Sequence, residues 1–344
     1  MGRYEDGLLH ALESLLRPED DLIVYYNSLP GPKLFGPRVK ERFLRLPRST
    51  TYNQIGLSAA LRLDGSDVYL GGANIVPVLS RVPRVLVLHD ALAFRHPDVK
   101  PRIVTRYLRR WMKLSAKHAE RVIAISRWAA SEAALFLDVD PGRIDVVYQG
   151  VHARFRPGDH SSPPGQELAR LAGETFVLHV GASEPHKGGS TAADAVRLMR
   201  QRGHRVKLVR TGIVARPERD SLVDLGIVGE EQLLWLYQNA AVVCVPSTHE
   251  GFGLPLIEAM ACGTPVVASR AAALPEAGGD AALYAEPGDV KGFADAMERV
   301  LVDRAEHERR SRAGLDQASR FRWEIAASRV YDILTEAASR RSAE

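Results

Sequence analysis

The sequence predicts an α/β fold of two Rossmann-like domains, with parallel sheets facing a central cleft. Three observations carry the prediction. Short β-branched runs alternate with longer helix-patterned stretches, the pattern of parallel βα units. The runs are apolar at nearly every position, as strands covered on both faces must be. The chain has 344 residues, enough for roughly two cores at about 150 residues per domain.

Strands are expected at 21–26, 84–89, 121–126 and 143–148 in the first half, and at 175–180, 205–210, 241–246 and 264–269 in the second. Helical patterns fill 127–137, 191–202 and 230–239 between them. The Pro/Gly/Ser-rich stretch from Arg156 to Gly165 reads as a linker. The expected domains are therefore 1–157 and 158–320, with a last helix within 321–344 packing back on the first domain. Leu8, Leu9, Leu12, Leu15 and Leu16 form an amphipathic stripe almost at the start, with no strand before it. A Rossmann-like half normally opens with a strand, so its first strand is expected to be missing, or the sequence to be truncated.

Composition narrows the function classes. Apolar residues make up 45% and charged residues 26%, which excludes disordered and fibrous proteins. A net charge of +4 spread over two domains is no basis for a nucleic-acid partner. Both cysteines, Cys244 and Cys262, sit in apolar runs, so neither a disulfide scaffold nor a cysteine zinc site is expected. No stretch approaches the roughly 18 apolar residues of a membrane span, and Glu5 and Asp6 stand where a secretion signal is basic. A cytoplasmic protein is expected.

The segment from Val245 to Ser269 carries the most chemistry. It reads as a strand, a loop bearing Gly251 and Gly253, a helix from Pro255 and a second strand. Glycines admit a ligand to the backbone, and a helix start offers unpaired N–H groups to an anion, most simply a phosphate. Glu250 and Glu258 stand eight positions apart. They are either a solvated charge and a helix-start carboxylate, or a pair accepting hydroxyl hydrogen bonds from a phosphorylated, hydroxyl-rich ligand such as a sugar nucleotide. Asp138 and Asp140 have the spacing of a metal–diphosphate site but fall in a helix-to-strand loop, so no metal site is expected. Over 101–121, Arg102, Arg106, Arg109, Lys113 and Lys117 form a basic stripe beside an apolar one of Ile103, Tyr107, Trp111 and Leu114. It is either the solvated face of a half-buried helix or a surface drawn to anionic lipid.

The spacing Glu250-Gly-Phe-Gly-Leu-Pro-Leu-Ile-Glu258 resembles the Glu-x7-Glu motif of retaining GT-B glycosyltransferases, above all family 4, with mannosyltransferases the nearest pattern. Segments 87–97, 122–130, 146–157, 179–189, 226–247, 274–289 and 321–334 match in the same order, so the similarity covers nearly the whole chain. The resemblance implies hexosyl transfer, mannosyl first, from a nucleotide-diphosphate sugar to a glycan or lipid-linked acceptor. GDP-mannose is the first donor expected, UDP-sugars come next, and no cofactor is implied. The alternatives are a sugar-nucleotide-binding protein of weak or no activity and a GT-B epimerase or phosphorylase.

Carried over by position, the resemblance gives Glu250, Lys187 and His89 catalytic roles. It puts the donor on the backbone of Gly251, Phe252, Gly253 and Leu254, with Gly181 in the phosphate turn and Glu258 on the ribose. Ala182 replaces an arginine that many relatives carry, and Arg210 or His186 could supply the missing cation. The segment 212–226 is shorter than in relatives. Gly2-Arg3-Tyr4 matches only the end of the family's N-terminal glycine loop, so impaired transfer is expected of a chain beginning here.

Overall fold

In a computed structural model, residues 2–27, 34–44, 52–158, 162–181, 184–212 and 221–341 are described. The chain forms two compact units, Met1–Gly150 with Arg322–Glu344, and Val151–Phe321.

In the first unit, β1 (Leu22–Tyr26) pairs in parallel with β2 (Val39–Phe43). A second parallel sheet runs β3-β4-β5-β6, from β3 (Tyr69–Gly71), β4 (Arg84–Leu88), β5 (Arg121–Ala124) and β6 (Ile144–Val146). Val85 to Leu88 and Val122 to Ala124 are wholly buried, as their unbroken apolar runs require. The first helix, Arg3–Leu15, buries Tyr4, Leu8 and Leu12, whereas Leu15 of the expected stripe is exposed.

The last helix, Trp323–Arg341, lies in this first unit with it. A Cβ on Gly7 or Gly150 would come within 2.2 Å of Trp323, so two glycines make the slot for that indole. Arg329 donates to Asp145 at 3.0 Å and Tyr331 to Asp20 at 2.7 Å, fixing the helix along its length. The chain passes to the second unit at Gly150, ahead of the proline-rich stretch, because residues 151–157 pack within that second unit. Val151 N–H donates to Phe321 O, Phe155 stands edge-on to Tyr237, and Arg156 O accepts from Gln238.

The second unit holds β7 (Phe176–Val180), β8 (Lys207–Thr211), β9 (Leu222–Asp224), β10 (Val242–Val245), β11 (Val266–Ser269) and β12 (Leu283–Ala285). All pair in parallel in the order β12-β11-β10-β7-β8-β9. Helices Gly189–Gln201 and Val290–Val302 cover one face through Ala192, Ala195 and Met199 against Phe293, Ala294 and Met297. From β7 the chain winds outward to β9, then returns to β10 on the other flank of β7. That reversal is a switch point, the place beside which open α/β sheets bind ligands.

Candidate active site

The loops after β7 and β10 meet at this switch point. The first makes a 3-10 turn, Pro185–Lys187, and then Gly188, with φ +70°. A Cβ on Gly188 would lie 2.2 Å from Pro246 O, so only glycine lets the loops come this close. Thr248 N–H donates to His186 O at 2.8 Å across the junction. Lys187 Nζ then reaches both oxygens of Glu250, at 2.9 and 3.0 Å, and Ser247 Oγ donates to the same carboxylate at 2.8 Å. Lys187 stays 24% exposed and Glu250 11%, so the pair is reachable from solvent.

Two helix starts flank this pair. Gly188 precedes helix Gly189–Gln201, and Gly253, with φ +105°, precedes helix Leu254–Ala261. Neither glycine supplies a side-chain cap, so each helix start has the positive end of its dipole without a built-in acceptor; in the second, Pro255 has no N–H and the Leu256 N–H already donates to Gly253 O.

The remaining expected residues divide. Gly181 closes β7 and donates its N–H to Thr211 O. Gly251 and Leu254 are half-buried, while the Phe252 ring is buried edge-on to Phe321, 5.2 Å between centroids. Glu258 is only 1% exposed and accepts from Tyr237 Oη at 2.9 Å. Tyr237 thus anchors the carboxylate that the resemblance places on the ribose. Arg210 is not a loose cation, since its Nε and Nη2 both bind Asp224 at 2.7 Å. Its Nη1 stays on the side of Gly189, 3.6 Å from where a Cβ there would stand. His186 is buried, and burial followed by the Lys187 charge lowers its pKa. Ala182 and residues 213–220 of the short segment lie outside the described residues.

His89 belongs to the first unit. It sits just after β4, donates its backbone N–H to Asn74 Oδ1 at 2.8 Å and its Nε2–H to Gly72 O at 2.7 Å. Tyr4 stands edge-on to the ring at 4.7 Å, which gives Gly2-Arg3-Tyr4 its place, with Gly2 the exposed residue that starts the first helix. Under the loop lies the fully buried Glu132, which accepts from Ala91 N–H at 3.0 Å and Arg95 Nε at 2.8 Å.

The basic helix is Arg102–His118, and it buries Thr105, Met112, Ser115 and Ala116. The expected apolar stripe thus misses its most buried positions, and Ile103 is 73% exposed. Arg109 is taken out of the solvated stripe, donating Nε to Ala93 O at 2.8 Å and lying over Phe94. Arg102, Arg106, Lys113 and Lys117 remain exposed. Asp138 and Asp140 shape a turn, the first left-handed at φ +57° and the second accepting from Gly142 N–H. Among the described residues, no helix is long and apolar enough to cross a membrane.

Sequence reasoning missed Ser247, Asp224, Tyr237 and His179. Only His179 left a signal, a lone histidine inside an apolar strand.

Comparison with known proteins identifies the family and the fold. The family model for Glycosyltransferase Family 4 matches residues 10–155, and that for Glycosyl transferases group 1 matches 174–303. The O-antigen chain mannosyltransferase B of Escherichia coli is 31% identical over 254 residues, 70% of this chain and 67% of that protein. A D-inositol 3-phosphate glycosyltransferase of Mycobacteroides abscessus is 34% identical over 61% of this chain, a match spanning 50% of that protein. HepE of Anabaena, solved with UDP and glucose, has a TM-score of 0.75 at 19% identity over 97% of this chain and 96% of its own. WaaG, a glycosyltransferase involved in lipopolysaccharide biosynthesis, has a TM-score of 0.75 at 14% identity with the same coverage. The chain has the GT-B fold and belongs to the group 1 glycosyltransferases of family 4.

Proposed function

We propose that the chain transfers a hexosyl group from a nucleotide-diphosphate sugar to a hydroxyl of a glycan or lipid-linked acceptor, with retention at the anomeric carbon. One observation carries the reading: a solvent-reachable Lys187–Glu250 pair flanked by two helix starts that lack side-chain caps. A diphosphate would take Lys187, the N–H groups after Gly188 and the N–H of Leu254. Glu250, released from the lysine, would accept hydroxyl hydrogen bonds from the sugar. Mannosyltransferases among the relatives favour GDP-mannose. UDP in the HepE structure keeps UDP-sugars as the second choice.

Lys187 and the helix dipoles would stabilise negative charge as the diphosphate departs, the stage at which fixed charges lower a barrier. The departing oxygen would take the proton of the acceptor attacking the same face. No metal is required, and no protein carboxylate need form a covalent intermediate. Glu258, anchored by Tyr237, would take the ribose. The exposed cations of helix Arg102–His118, with Ile103 beside them, would hold the protein on an anionic membrane face where a lipid-linked acceptor resides.

Thermal shift against GDP, UDP and ADP, followed by turnover with the matching mannosyl and glucosyl donors, tests the reading. Stabilisation by one nucleotide with transfer and retained configuration is expected. Absence of any nucleotide response refutes it, and stabilisation without turnover reduces the chain to a sugar-nucleotide-binding protein.

A further inference from the structure

A buried histidine beside Lys187 has no part in that chemistry. His179, on β7 one residue before its end, is 2% exposed. Its Nδ1 stands 3.1 Å from the carbonyl oxygen of Cys244 on β10. A carbonyl only accepts, so Nδ1 carries the proton and Nε2 presents a bare lone pair. Among the described residues, that buried Nε2 has no hydrogen-bond partner. Two glycines show where it points: a Cβ on Gly181 would stand 3.4 Å from Nε2, and one on Gly189 3.6 Å. The ring's Nε2 therefore lies between Gly181, just after β7, and Gly189, at the start of the next helix.

Charged groups face it from three elements. Arg210, its partner in register on β8, and Lys187 on the 3-10 turn oppose a further positive charge. Glu250, on the loop after β10, favours one. Burial, the largest effect, with Arg210 and Lys187, pushes the His179 pKa down to about 4 against the Cys244 carbonyl and Glu250. The imidazole is therefore neutral at neutral pH, while Arg210 is balanced by Asp224 and Lys187 by Glu250.

We propose that His179 takes up a proton from solvent when a diphosphate docks at Lys187, so that Nε2 becomes an N–H donor directed at the bound anion. The proposal rests on the reading of this site as the seat of a nucleotide-diphosphate sugar. A neutral His179 turns a lone pair toward phosphate oxygens, which repels them. Protonation replaces that repulsion with attraction and gives a buried, unpartnered atom a charge-assisted bond. The incoming negative charge, in a site of low dielectric, supplies the drive. No covalent bond other than N–H forms, and the buffer is the source of the proton.

The free protein holds His179 neutral above about pH 4, and the bound form stays protonated to higher pH. Donor affinity then rises as pH falls through the bound-state value, by about tenfold for each pH unit by which docking raises it. Calorimetry of the full chain with GDP-mannose and UDP-glucose, whose diphosphates do not titrate in this range, tests the idea. Titrations would run from about pH 7.5 to about pH 5.5 in buffers of different ionisation enthalpy.

Net proton uptake that grows toward low pH is expected of the wild type. His179→Gln and His179→Asn, checked for folding by their melting temperatures, should bind without uptake and with an affinity flat across the range. Binding by the wild type with no proton exchange, or uptake unchanged in both variants, overturns the proposal while leaving the site reading intact. Failure of both nucleotide sugars to bind the wild type at any pH overturns the site reading, and the proposal with it.

Discussion

The two units hold their candidate residues by opposite means. In the second, the loops after β7 and β10 are joined by groups that also face solvent, with Lys187 and Glu250 serving as each other's counter-ion. In the first, the loop bearing His89 is held from within, by a buried Glu132 that receives Ala91 N–H and Arg95. An accessible pair can exchange its partners for a ligand at little cost. A buried carboxylate cannot let go without leaving charge or donors unsatisfied. The Lys187–Glu250 pair is thus suited to exchange partners, and the Glu132 anchor to stay in place.

The largest effect expected is on turnover. Lys187→Ala should lower it by about 10² to 10³, the usual loss when one stabiliser of a developing negative charge is removed. Glu250→Gln sharpens the contrast, since it should also lower turnover yet tighten binding of the free nucleoside diphosphate by unburdening Lys187. Calorimetry with GDP or UDP checks this, and weaker binding by that variant would deny that the pair exchanges partners.

The next effect belongs to the first unit. Glu132→Ala should cost about 3 kcal/mol in urea unfolding, because Arg95 and the Ala91 N–H lose their acceptor. A loss below about 0.5 kcal/mol, the range of ordinary surface changes, would break the comparison. Smaller again is the pair Gly188→Ala and Gly226→Ala. Both glycines have positive φ, which costs a side chain about 1–2 kcal/mol. Only Gly188 also meets backbone, at Pro246 O, whereas nothing lies within 4 Å of a Cβ on Gly226. Gly188→Ala should therefore be the more destabilising and should alone raise the donor KM, by parting the two loops.

The smallest effect on stability is expected from reversing Arg102, Arg106, Lys113 and Lys117 to Glu, within about 0.5 kcal/mol of wild type. Binding to vesicles containing anionic lipid should nevertheless be lost. Binding that survives the change would refute the membrane-facing role of that helix.

How much could be read in the sequence depended on the length and burial of each element. The long buried strands β4, β5, β7, β8, β10 and β11 were legible because an unbroken apolar run has one common explanation. β2, with the sequence VKERF, and the three-residue β3, β9 and β12 left too little pattern, since they owe their pairing to the sheet beside them. The basic helix is legible by its solvated cations but not by its most buried positions, because Thr105, Ser115 and Ala116, which join Met112 there, carry little apolar signal. At the site, the spacing of Glu250 and Glu258 was visible but not their difference in burial, which Tyr237 decides from 21 residues away. Arg210 read as a free cation because its partner, Asp224, is supplied by a neighbouring strand.

The slot that Gly7 and Gly150 make for Trp323 has a consequence in time. During synthesis the first 150 residues leave the ribosome long before the helix that carries this indole. The whole second unit, Val151–Phe321, must be translated between them. At roughly 5–20 residues per second, the apolar face of Tyr4, Leu8 and Leu12 waits on the order of ten to thirty seconds for its cover. The second unit, continuous in sequence, can fold during that interval. The first to be made is thus the last to be finished, and a nascent chain halted near residue 321 would expose that face to chaperones.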